Sequence, residues 1–125
     1  MKDKEIKRFV RKKLKWWIGW TGLGYWKITS RWEEIIMMDH GGYDTAALCT
    51  CDWKYQTAEI VISLSKFRDL KKWEIENAIV HELCHIFLNE MREEGIDHEE
   101  RCATQLAKAF LWVRDSRMNK NDSFQ

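Results

Sequence analysis

Between Asp3 and Ile18, apolar residues recur at Ile6, Phe9, Val10, Leu14, Trp17 and Ile18. This spacing predicts a helix with one apolar face, and Lys and Arg fill the other face. Gly19, Gly22 and Gly24 end it. The period then changes to two. In "YWKITSRWEEIIM", residues 25–37, Trp26, Ile28 and Trp32 share one face while Lys27, Thr29 and Arg31 share the other. Such alternation predicts one half-buried strand, or two. "DHGGYD" marks a turn. "AALCTCDWKY" and "AEIVISLS" follow as further strands, with "KYQT" between them. Short links predict an antiparallel meander of about three strands. From Lys71 the helical period returns, with a helix from Trp73 to Met91, a break at Gly95 and a second helix from His98 to about Arg114. The tail "NKNDSFQ" is polar, so the chain is expected to fray over about 117–125. Helix, strands, helix, helix is the order of an α+β fold in one domain spanning residues 1–125.

Composition narrows this picture without changing it. At 125 residues, with 45% hydrophobic and 33% charged positions, the chain can bury a core of its own. A net charge of +1 does not by itself call for a nucleic acid or a membrane as partner. No apolar run is long enough for a membrane span, and the charged N-terminus is not a secretory signal, so the expected compartment is cytoplasmic. There the four cysteines are expected to be free thiols. Cys49 and Cys51, two apart in a strand, should share one face and pack as small buried residues. Cys84 and Cys102 are read the same way. Nothing in the pattern explains all eight Trp.

The candidate chemistry lies in "IVHELCHIFL", residues 79–88. Polar residues set among Ile79, Val80, Leu83, Ile86, Phe87 and Leu88 are costly to bury unless they are satisfied. "HELCH" is H-E-x-x-H. His81 and His85, at i and i+4, lie one helical turn apart on one face and can place two imidazoles on one metal ion. Glu82 is turned about 100° from His81, so it can reach a water beside the metal without being an equivalent ligand. Two nitrogen ligands, an open position and an adjacent base are the parts of a zinc peptidase helix. A third ligand is then required. His98, Glu99 and Glu100 stand at the start of the next helix, whose apolar stripe is Cys102, Ala103, Leu106, Ala107, Phe110 and Leu111. The short link from Met91 to Asp97 returns that helix antiparallel to the metal helix.

"HELCH" followed by Glu100, Ala103, Leu106 and Ala107 resembles the gluzincin branch of zinc metallopeptidases. The likeness is to its very small members: minigluzincins, ImmA/IrrE-type peptidases of mobile elements and short phage-encoded metallopeptidase-like proteins. It covers roughly residues 20–115. The strand motif at Trp26 to Ile28, the strand Ala58 to Leu64 and the helix Glu99 to Ala107 also carry it. The resemblance implies a zincin-like domain with Zn2+ held by His81, His85 and Glu100. Thr104 departs from the Asn or Asp common there, and the apolar-Pro segment of ImmA-type proteins is absent. Alternatives to Glu100 are open. Asp97 to Glu100 is also a helix-capping pattern, which would leave Glu99 or His98 as ligand, the latter as in SprT-like peptidases.

The expected function is a zinc-dependent peptidase that hydrolyses peptide bonds with a metal-activated water and Glu82 as general base. Its partner would be a peptide or protein substrate, with Ala58 to Leu64 as an exposed strand edge for an extended chain. A non-catalytic, zinc-stabilised binding module for protein or nucleic acid is the alternative, and Glu82 weighs against it because a structural site needs no base. No membrane partner is expected. Eight Lys or Arg against two acids between Lys2 and Lys15, beside Trp16, Trp17 and Trp20, could hold nucleic acid, although a solvated helix face accounts for them.

Overall fold

A computed structural model of the protein describes residues 1–37 and 45–123, with side chains through Met118. The fold is α+β, and the described residues form five helices and a three-stranded mixed sheet. The expected turn at "DHGGYD" lies outside the described residues.

Helix α1 spans Asp3–Trp20 and buries Ile6, Val10, Leu14 and Trp17, the stripe its period requires. The three strands are β1 (Lys27–Glu33), β2 (Ala47–Asp52) and β3 (Thr57–Ser63), ordered β1-β3-β2. β2 and β3 form an antiparallel hairpin with Cys49 opposite Ile60. Gln56 takes a positive φ of 53° at its turn. β1 lies parallel to β3, with Ile28 opposite Ala58. The sheet is therefore not an antiparallel meander, because β3 inserts between the two strands that precede it. Burial gives the reason. Ala58, Ile60, Val61 and Ile62 of β3 are all buried, and such a run belongs in the middle of a sheet. β1 is largely exposed and carries Lys27, Arg31 and Glu33, which suit an edge. The expected edge at Ala58 to Leu64 is thus the central strand, and among the described residues β1 and β2 are the edges.

The chain leaves β3 through a short helix, α2 (Leu64–Arg68), which the strand reading through Leu64 and Ser65 missed. Ser63 caps it by accepting from the Lys66 N–H at 3.4 Å, and Leu64 and Phe67 turn into the core. Helix α3 (Lys72–Phe87) starts where the Glu74 carboxylate accepts from the Lys71 N–H at 2.9 Å. It runs through the centre of the molecule and buries Ile75, Ile79, Val80, Leu83, Cys84 and Ile86. It ends earlier than its period suggests. Leu88 leaves helical geometry (φ −97°, ψ 7°), and α4 (Asn89–Glu93) follows as a separate turn. The break turns α4 toward the sheet, and Arg92 Nη1 donates to the Cys49 carbonyl at 3.1 Å. Gly95 then reverses the chain with φ 66°. Helix α5 (Glu99–Ser123) lies against α3 through Ala103 and Ala107, both fully buried. It continues through most of the stretch expected to fray. Cys102, expected on its apolar stripe, is exposed.

One buried polar network joins the helices. Glu76 of α3 accepts from Trp17 Nε1 of α1 at 2.9 Å and from Arg114 Nη1 and Nη2 of α5 at 2.8 and 3.1 Å. Lys13 Nζ lies 3.4 Å from the same carboxylate. Burial pushes this carboxyl up, but the hydrogen bonds from Arg114 and Trp17 outweigh it and hold it below its ordinary range.

Candidate metal centre

The i, i+4 spacing on α3 sets the imidazoles of His81 and His85 side by side, with Nε2 atoms 3.2 Å apart. Glu100, the second residue of α5, brings its carboxylate to both. Oε2 lies 3.1 Å from His81 Nε2, and Oε1 lies 2.9 Å from His85 Nε2. His85 is buried, His81 is half-buried and Glu100 is exposed, so the group opens to solvent on one side. His81, His85 and Glu100 are close enough to hold a metal ion, with ligand atoms all within 4.8 Å of one another. The donors fit such an ion chemically. A single N–H can sit between two imidazole nitrogens 3.2 Å apart, whereas a cation accepts both lone pairs and the carboxylate at once. Donors on a tetrahedral zinc, with bonds of about 2.0–2.2 Å, stand roughly 3.3 Å apart, close to the separations here.

Of the three candidates for the third position, only Glu100 reaches both Nε2 atoms. Glu99 contacts the opposite nitrogen of His85, Nδ1. Arg92 grips Glu99 in turn, with Nε to Oε1 at 3.1 Å and Nη2 to Oε2 at 2.8 Å. Burial raises the Glu99 carboxyl, but Arg92 and His85 hold it below its usual range, and it stays an acceptor. A carboxylate on Nδ1 fixes which nitrogen of His85 donates and aims Nε2 at the metal position. The sequence reading missed this support. Arg92 offered no motif, and the break at Leu88 that delivers it was not foreseen. His98 is exposed, takes a positive φ of 77° and stands apart from the group. The capping pattern fails too, because α5 starts at Glu99, two residues beyond Asp97 rather than one.

Glu82 is buried and lines the same cleft, a space of about 620 Å³ between β2 and α3. Burial and the nearby charge of Glu100 push its carboxyl up to about 8, with Arg92 pulling the other way. A cation in the cleft would favour its ionised form. One wall of the cleft is β2 from Ala47 to Thr50. Ala46 O accepts from Ser63 N at 2.9 Å, so by two-residue alternation Ala47 and Cys49 turn their main chain away from β3, and Arg92 takes the Cys49 carbonyl on that side.

The cysteines follow the packing expectation in part. Cys84 is fully buried in the core, where burial pushes its thiol up to about 12, and its sulfur is not part of the group formed by His81, His85 and Glu100. Cys49 and Cys51 do share a face, with Sγ atoms 3.8 Å apart. The hydrogen bond between them, with burial, keeps the Cys49 thiol protonated, and Cys51 is correspondingly lowered. No helix among the described residues is long and apolar enough to cross a membrane. No family model, no curated protein and no solved structure matches the chain, so its likeness to small gluzincins rests on the motif residues alone.

Proposed function

We propose that the chain is a zinc-dependent peptidase with a zincin-like, gluzincin-type site. The observation that carries this is the convergence of His81 Nε2, His85 Nε2 and both Glu100 oxygens on one point of an open cleft that Glu82 also lines. Bound there, zinc would supply a Lewis acid that polarises a carbonyl and makes water more acidic. His81, His85 and Glu100 would hold the ion, while Glu99 and Arg92 keep the His85 ring aimed.

Glu82 is the general base. Its carboxylate lines the cleft beside His81 and His85, and a cation there would keep it ionised, so that it could take a proton from water and return it to the leaving amine. The substrate is an extended peptide laid along β2. β2 replaces Ala58 to Leu64 in this role because it is the sheet edge that borders the cleft. Main-chain hydrogen bonds at Ala47 would set the peptide's register and bring a scissile bond toward His81 and Glu82.

Glu82→Gln tests the reading. The variant keeps size and packing but cannot accept the proton. It should fold and bind zinc as the parent does, while cleavage of a peptide library falls by about 10²–10⁴-fold. Unchanged cleavage in the variant would sink the mechanism. Absence of cleavage in both forms, with zinc retained, would favour the non-catalytic binding module.

A further inference from the structure

Among the described residues, the outer face of α1 is used neither by the core nor by the candidate metal site. Lys4, Arg8, Arg11, Lys12 and Lys15 are all exposed and fall at i, i+4, i+7, i+8 and i+11. At about 100° per residue these positions share a face roughly 100° wide, opposite Ile6, Val10, Leu14 and Trp17. The other cations of the helix are engaged. Lys13 pairs with Glu76 at 3.4 Å, and Lys7 lies over the Trp32 ring at 5.8 Å. None of the five outer cations makes an ion pair among the described residues, although Glu5 borders them. Six of the 20 acids of the chain fall between Glu90 and Glu100, beside the candidate metal centre, against two on α1. A net charge of +1 therefore conceals a polarised molecule. At the C-terminal end of the stripe, Trp16 and Trp20 stack at 6.0 Å with planes 12° apart, exposed by 43% and 36%.

We propose that this face of α1 binds the phosphodiester backbone of a single-stranded nucleic acid, with a base stacking on Trp16. A cationic track ending in exposed aromatic rings combines the two groups such strands require, because phosphates repeat along the backbone and every base has a π face. An anionic membrane fits less well. A helix that lies in a bilayer surface inserts its apolar face, and here that face is committed to the core, with Ile6 and Trp17 at 0% exposure.

The test is fluorescence anisotropy of a labelled 15-nucleotide oligothymidylate with the full chain, alongside a duplex of equal length and phosphatidylglycerol vesicles. The oligonucleotide should bind with an affinity that falls steeply with salt, at a log–log slope of about −3 for four or five phosphates. The combined variant Arg8→Gln, Arg11→Gln, Lys12→Gln, Lys15→Gln changes exposed side chains alone. It should melt as the parent does, retain any peptide cleavage and bind the oligonucleotide at least about 10-fold more weakly. Trp16→Ala should weaken single-strand binding by about 5-fold or more while leaving the salt slope unchanged. No binding at low salt, equal binding by the four-residue variant, or a preference for vesicles over the oligonucleotide would overturn the proposal. Duplex binding that matches the single strand and ignores Trp16→Ala would overturn it as well.

Discussion

Glu99 and Glu100 are adjacent in the chain but meet opposite nitrogens of the site. Glu100 meets the two Nε2 atoms, and Glu99 meets Nδ1 of His85. Removing each should therefore have a different cost. Glu100→Ala deletes one of three donors and should abolish tight zinc binding, whereas Glu99→Ala should weaken it by about 10–100-fold through the loosened imidazole. Competition against a chromophoric chelator measures both. If Glu99→Ala costs more than Glu100→Ala, the assignment is reversed. The juxtaposition of His81 and His85 was legible in the sequence because helical spacing alone decides which side chains share a face. The choice between Glu99 and Glu100 was not legible from geometry. Both lie near the inner side of α5, and the decision depends on where that helix begins and on Arg92, contributed by a turn the pattern did not announce.

At the scale of elements, the periodicity of α1, α3 and α5 located the helices, and the alternation around Cys49 put its thiol beside that of Cys51. Sheet order was harder. Alternation says which face of a strand is buried but not which strand lies between the others. The continuous apolar run of β3 against the polar β1 carried that signal, while the short links drew attention to neighbours in sequence. The Glu76 network that ties α1, α3 and α5 together was invisible, since its members are 17, 76 and 114 in the chain. It has a measurable consequence. Its folded-state affinity for protons is lowered, so its contribution to stability is present above the ordinary carboxyl value of 4.5 and is lost as pH falls from there. Glu76→Gln should destabilise the protein by about 1–3 kcal/mol near neutral pH, with the difference from the parent shrinking in acid. Urea titrations at several pH values check it. A deficit that stays constant from neutral to acid pH would show that Glu76 is not held ionised by its partners.

Across the whole molecule, charge and chemistry separate. The cleft holds the convergent donors at one end, with acids clustered between Glu90 and Glu100, while the cations of α1 face outward from the core. The α+β class was legible from the order of periods, and the pairing of His81 with His85 was legible within one helix. The substrate of the proposed peptidase is not written in either, because an edge strand recognises main chain before side chain. If zinc binds the native state alone, it also stabilises the fold, by about 2.7 kcal/mol when free zinc is 100 times its dissociation constant. Chelation should therefore lower the melting temperature of the parent by several degrees, and leave that of His81→Ala or His85→Ala unmoved. The most direct measurement is calorimetric titration of the chelator-treated parent with zinc, combined with elemental analysis of the product. About one zinc per chain, lost on Glu100→Ala and kept on Glu82→Gln, is expected. A parent that takes up no zinc would contradict the metal centre and everything built on it.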